Sequence, residues 1–316
     1  MTAPARDTDI RITRRYDVPV AMVWAAWTDT EQVAQWWGPR GFTITTHSRD
    51  LRPGGTWVYT MHGPDGTDYP NFTRYLVVEP LARLVYDHGA RSEDAAPMFR
   101  MTVEFREVAG GTELSLCMTL PTAEAAQQTR MFVKAAGGNA TWDRLAEHLE
   151  QRAAGREIFV INRSFDAPIE TIFDLWTTPT HLAAWLPPTG FTMTFSHADI
   201  RAGGRSAYAM TNGQFTMYGR AAYTAMHRPD FLEYTQCFTD AHGNVSRHPG
   251  APTWPETMRT RVTFTAEGPA QTRVTVCWAV EGEATAAELA AFMAERGGMT
   301  QGWTGSFDKL EALLSA

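Results

Sequence analysis

The feature that most constrains this chain is that it says the same thing twice. The stretch VPVAMVWAAWTDTEQVAQWWGPRGFTIT (18–45) returns as APIETIFDLWTTPTHLAAWLPPTGFTMT (167–194), with Pro19 falling on Pro168, Trp27 on Trp176, Trp36 on Trp185 and Phe42 on Phe191. Each pair is 149 residues apart, and the same spacing carries Asp50, Arg52, Gly54 and Gly55 onto Asp199, Arg201, Gly203 and Gly204. It also sets Tyr59 on Tyr208, Met61 on Met210, Tyr69 on Tyr218 and Pro80 on Pro229. By Cys117 and Cys277 the spacing has grown to 160, so the second copy carries 11 extra residues, placed in the Gly/Pro/His-rich loop DAHGNVSRHPGAPTWPE (240–256). A repeat of this length is a domain rather than a solenoid unit. The expected domains are 9–152 and 156–316, joined by a short polar stretch near Gln151–Arg156. So short a linker predicts that the two units pack as an intramolecular pseudo-dimer.

Each copy opens with a strand of alternating polarity (Ile10, Ile12, Arg14; IFVINRSF) that ends at Asp17-Val18-Pro19 or Asp166-Ala167-Pro168. A helix follows, with Val20, Val23, Trp24 and Trp27, or Ile169, Ile172, Phe173 and Trp176, on one face. Asp29 and Thr178 then read as N-caps of a second short helix, with Pro179 at the first helical position. Gly38-Pro39 and Pro187-Pro188 stop it. About six short strands come next, with DLRPGG and DIRAGG as turns. A long Ala-rich helical region closes each copy, 122–150 and 284–315, interrupted by Gly137-Gly138 and Gly297-Gly298. This order predicts an α+β fold in which a curved antiparallel sheet wraps around the C-terminal helix. A Gly- and Ala-rich helix leaves part of the concavity open, and a mostly apolar pocket results.

The residues WWGPRGFT, DLRPGG, Met61–Gly66 (MHGPDG) and Tyr69-Pro70 resemble the SRPBCC (START-like, helix-grip) superfamily, and within it the branch named after the activator of Hsp90 ATPase. In the second copy WLPPTGFT, DIRAGG, PETMRTRVTF and Gly302-Trp303 resemble the same branch. The resemblance spans almost the whole chain, twice, and implies two tandem helix-grip domains. It does not choose among lipid carriers, cyclases and aromatases, receptors and co-chaperones, since one fold hosts many functions. The copies also depart from each other. Leu186-Pro187 stands where the first has Trp37-Gly38, Gly213-Gln214-Phe215 replaces the PDG segment, and the first copy has Gly137-Gly138 in place of Gly-Trp. The two pockets are therefore expected to differ in shape, with closure of one an open alternative.

Composition narrows the function. With 28 Lys+Arg against 35 Asp+Glu the net charge is −7, which argues against nucleic acid and anionic membrane as partners. No apolar run reaches the ~18 residues of a membrane span, and no secretory signal is seen in the opening residues, so a cytoplasmic location is expected. Three dispersed cysteines, Cys117, Cys237 and Cys277, make neither a disulfide framework nor a metal motif. The nine His residues show no ligand spacing and none recurs at the matched position, so neither metal nor cofactor is expected. His242 and His248 read as solvated loop residues. The Asp50/Arg52 and Asp199/Arg201 pairs read as turns with a local ion pair rather than a ligand clamp. What stands out is 11 Trp, 16 Phe, 9 Tyr and 14 Met, enough to line an interior space as well as fill a core.

The expected function is therefore binding of a small hydrophobic, aromatic or polycyclic ligand. The expected ligand-binding residues are Trp37, Tyr59, Met61, Tyr69, Met193, Phe195, Tyr208, Met210, Tyr218 and Trp303. Trp24, Trp27, Trp36, Trp176 and Trp185 are assigned to the core. The alternative is a cyclase-, aromatase- or dehydratase-type enzyme using the same cavity, with Tyr59, His62, Asp68, Tyr69, His197 and Tyr208 as proton-transfer candidates. A third reading is a co-chaperone-like protein-interaction module.

Overall fold

In the computed structural model, residues 6–90, 95–135, 140–248 and 250–315 are described. The chain divides into two units, Met1–Gly155 and Arg156–Ala316. The first runs β1 (Asp9–Tyr16), α1 (Val20–Thr28), α2 (Thr30–Trp36), β2 (Thr43–Arg49), β3 (Thr56–His62), β4 (Asp68–Glu79), β5 (Arg83–Ala90), β6 (Phe99–Val108), β7 (Gly111–Thr119), α3 (Ala123–Ala135) and α4 (Ala140–Ala154). The second runs β8 (Ile158–Phe165), α5 (Ile169–Thr177), α6 (Pro179–Trp185), β9 (Thr192–Ala198), β10 (Arg205–Thr211), β11 (Thr216–His227), β12 (Phe231–Thr239), β13 (Thr257–Gly268), β14 (Gln271–Val280), α7 (Ala286–Ala294) and α8 (Arg296–Leu314).

Each unit is one seven-stranded sheet, in the orders β1-β7-β6-β5-β4-β3-β2 and β8-β14-β13-β12-β11-β10-β9. Every neighbouring pair is antiparallel. The first strand pairs with the last, so the meander closes against its own start and the two short helices lie between β1 and β2 in sequence. Both units are α+β helix-grip folds. Among the described residues no helix is long and apolar enough to cross a membrane.

The local chemistry behaves as the residue types dictate. Asp29 caps α2 by accepting from the backbone N–H groups of Glu31 and Gln32, both at 2.9 Å. Thr178 makes no such side-chain bond; α6 begins instead on Pro179, whose fixed φ suits the first turn. The two short helices are tied by one repeated bond: Trp36 Nε1 donates to the Ala26 carbonyl at 3.0 Å, and Trp185 Nε1 to the Leu175 carbonyl at 2.9 Å. In both turns after the second strand a Cβ on Gly55 or Gly204 would lie 2.2 or 2.1 Å from the Asp50 or Asp199 carbonyl, so only glycine fits. Asp50–Arg52 and Asp199–Arg201 are exposed local ion pairs, each at 2.8 Å.

Two expectations change. The Gly297-Gly298 pair does not interrupt the last helix; the break falls at Glu295, and both glycines lie in the first turn of α8. Gly137 and Gly138 lie outside the described residues. The second change is in register. Tyr59 stands opposite Asn71, whereas its counterpart Tyr208 stands opposite Gly219. The β10–β11 turn (212–215) is one residue shorter than the β3–β4 turn (63–67), so beyond it the matched position of Tyr69 is Met217, not Tyr218. A one-residue slip moves a side chain to the other face of a sheet.

Candidate functional site

The second unit contains a cavity of about 360 Å³ between the sheet and α8. From the sheet come Tyr208 and Met210 on β10, Met217 on β11, Tyr234, Gln236 and Phe238 on β12, Met258 on β13 and Trp278 on β14. The helix side is supplied by Gly298, Met299, Gly302 and Trp303, and the end of α6 by Leu186. The remaining wall is the long β12–β13 loop, through His248, Ala251, Trp254 and Glu256. A Cβ on Gly302 would meet nothing within 4 Å, so the helix face is open where the space is widest. Glycine within a helix costs about 1 kcal/mol relative to alanine. A narrower void of about 30 Å³ continues under β9 and β10, past Met193, Phe195 and Ser206, and shares Tyr208, Tyr234 and Gln236 with the larger one.

Tyr208 owes its place to Gly219. The phenol lies across that glycine, where a Cβ would come within 2.6 Å of its Cζ and hydroxyl. Among the described residues its hydroxyl has no hydrogen-bond partner. Burial pushes the Tyr208 and Tyr234 hydroxyls well above the usual phenol range, so both are neutral at pH 7. His248 Nδ1 accepts from the Gly250 N–H at 3.1 Å, which leaves the proton on Nε2. Its ring packs edge-on against Phe238 at 4.9 Å, and burial lowers its pKa against the pull of Glu295.

The first unit closes the space that matches the narrow extension. Among the described residues a void of only about 10 Å³ lies between Trp27, Trp37, Arg49, Trp57, Tyr75 and Tyr86. Trp37 packs on Trp57 at 5.4 Å and donates from Nε1 to the Tyr59 hydroxyl at 3.0 Å. Tyr59 stacks on Trp57 at 4.1 Å and is wholly buried. The Arg49 guanidinium caps the group, 4.6 Å from the Trp57 ring, donating to the Tyr75 hydroxyl at 3.0 Å and the Trp27 carbonyl at 2.6 Å. At the corresponding positions of the second unit stand Leu186 for Trp37, Ser206 for Trp57 and Ala198 for Arg49.

The residues singled out from sequence therefore scatter. Tyr208, Met210 and Trp303 line the large cavity, while Met193 and Phe195 line its narrow extension. Trp37 and Tyr59 are core residues of the first unit rather than pocket walls, because their polar atoms satisfy each other. Met61 is half-buried, its sulfur against Gly38. Tyr69 is 44% exposed and leans on Phe42 at 5.9 Å. Tyr218 points away from the cavity: it is paired with Ala209, on the face opposite Tyr208 and Met210. His62 and Asp68 form an exposed cross-strand pair at 2.6 Å, with Thr45 on the other ring nitrogen at 2.9 Å. His197 is exposed on β9. These candidates do not converge on one site. Among the described residues no cluster of three His, Cys, Asp or Glu side chains could hold a metal.

The description "Activator of Hsp90 ATPase homolog 1-like protein" belongs to a family whose pattern matches residues 17–150 and again 166–315. The chain belongs to that family. Each match covers one helix-grip unit except its first strand. Among solved structures, the chain is similar to a protein of Nitrosomonas europaea at 27% identity, covering 48% of this chain and 99% of that one with a TM-score of 0.44. A Mycobacterium smegmatis protein is 25% identical over 50% of this chain and 91% of its own, with a TM-score of 0.42. One from Arthrobacter aurescens is 26% identical over 46% and 88%, also with a TM-score of 0.42. No curated protein matches.

Within this Hsp90-activator-like pair of units, several wall residues went unnoticed in the sequence. His248 and Trp254 sit in the loop that is longer in the second copy; loop composition predicts a solvated His248, yet its ring is half-buried at the cavity. Gln236 and Tyr234 lie on the inward face of β12, two residues apart. Their period-2 spacing was the available signal, but it does not say which face is concave. In the first unit His88 takes the place of Gln236, ringed by Phe99 at 4.7 Å, Trp37 at 6.2 Å and Tyr59 at 6.3 Å. Burial pushes its pKa down to about 4.

Proposed function

We infer that this protein binds one small, largely apolar molecule per chain, in the second unit. The observation that carries this reading is the cavity of about 360 Å³, aromatic- and methionine-walled, facing a helix stripped of side chains at Gly298 and Gly302. Its size falls within the ~300–1,000 Å³ of ordinary small-molecule pockets. Met210, Met217, Met258 and Met299 give walls that adapt to the shape of the guest. The first unit, with its interior occupied by indoles, contributes no comparable space from its described residues.

The test is titration of the full chain with a neutral hydrophobic fluorophore, N-phenyl-1-naphthylamine, against Gly302→Trp. One site per chain is expected, and an affinity loss of at least about tenfold in the variant, since the indole would occupy the guest's volume. Two equivalent sites, or equal binding by the variant, would overturn the reading.

A second reading is favoured by one observation, the Tyr208 hydroxyl, which no protein group among the described residues engages. A neutral phenol at a cavity wall can donate a proton or a hydrogen bond, as a cyclase or aromatase would need. Tyr208→Phe separates the two: turnover would be lost while affinity for the neutral fluorophore persists.

A further inference from the structure

We propose that the guest of the second-unit cavity carries a protonated amine, held against Glu295 and the aromatic wall. This rests on the small-molecule reading above and deepens it. Among the described residues no Lys or Arg lines the cavity, whereas two carboxylates do, Glu256 and Glu295. Glu256 has Arg247 at 4.0 Å, which also bonds Glu288 at 2.6 Å. Glu295 is different. Its carboxylate folds back over Gly298, its Oε2 only 2.9 Å from where a Cβ would stand, and among the described residues no Lys or Arg bonds it.

The cations of the neighbourhood are turned away or engaged. Arg296 donates to Glu157 at 2.9 Å and to the Ile158 carbonyl at 2.5 Å. Arg220 is on the outward face of β11, its Nε 3.3 Å from Cys237 Sγ. Arg259 and Arg261 pair with Glu281 and Glu233. His248, held neutral by burial, adds no positive charge at pH 7. An anionic guest would meet an uncompensated carboxylate. An ammonium would meet that carboxylate in a cavity that Trp254, Trp278 and Trp303 also line, and indole rings attract cations. The Gln236 carbonyl and the Tyr208 hydroxyl offer acceptors further in.

The experiment compares three probes of one shape by calorimetry on the full chain: 1-naphthylmethylamine, 1-naphthylmethanol and 1-naphthoic acid. The amine is expected to bind about tenfold more tightly than the alcohol, from one exposed ion pair plus cation–π contact, and the acid more weakly than either. In Glu295→Gln the ratio of amine to alcohol affinity should fall to about two. That substitution changes the net charge by one, so a collapse of the ratio reports the local carboxylate rather than the field of the whole protein. If alcohol and amine bind equally, or the ratio survives Glu295→Gln, the amine inference is overturned while the pocket reading stands. If none of the three binds, both fail together.

Discussion

The two units share strand order and the Trp–carbonyl ties between their short helices, yet among the described residues only the second encloses a large cavity. The difference traces to a few positions. Two indoles, Trp37 and Trp57, with the Arg49 guanidinium beside them, stand in the first unit where Leu186 and Ser206 border the narrow extension in the second, and Leu186 also borders the large cavity. The second unit then adds a longer loop that walls the vacancy instead of filling it. A helix-grip scaffold thus separates the residues that hold it together from those that decide whether it encloses anything.

The comparison is broken most severely by giving the first unit the second unit's residues. Trp37→Leu with Trp57→Ser should destabilise the first unit by about 5 kcal/mol, because large-to-small core changes at Trp cost about 3–5 kcal/mol each and neighbours couple. Amide hydrogen exchange of β3 and β4 would register it. A loss below about 2 kcal/mol would mean the indoles are not what fills that interior.

A smaller effect separates His88 from Gln236. Folded, His88 titrates at about 4; unfolded, near its ordinary 6.5. Between those values the unfolded chain binds more protons, so the first unit loses stability as the pH falls from about 6.5 towards 4, by about 3 kcal/mol. His88→Gln should remove that increment, leaving only the carboxylate contribution. Parallel urea denaturation of both proteins across this pH window measures it, and identical pH profiles would contradict the assignment.

The least change is at the helix. Gly302→Ala should stabilise the second unit by about 1 kcal/mol through helix propensity alone, since the added methyl meets no neighbour. Loss of stability in thermal unfolding would show that the cavity face of α8 is tighter than it looks.

Much of this architecture is legible in the sequence. The repeat, the strand count and the two short helices follow from spacing and capping chemistry, which are local. The Leu186-for-Trp37 exchange was also visible, and with it the expectation of unlike pockets. What could not be read was non-local. Trp57 meets Trp37 only across the fold, so its replacement by Ser206 carried no meaning in isolation. Tyr218 looked like the partner of Tyr69 until pairing across a shorter turn turned it outward. His248 read as a loop residue because nothing in its neighbours indicates that the loop returns over the sheet.

Gly219 has one more consequence. At the position opposite Tyr208 any other amino acid collides with the phenol and swings it elsewhere, redrawing the chamber from outside its lining. A single atom withheld from one strand governs where a ring on the next one rests. Tracking that position across the wider kinship of the chain would sort hollow copies from solid ones.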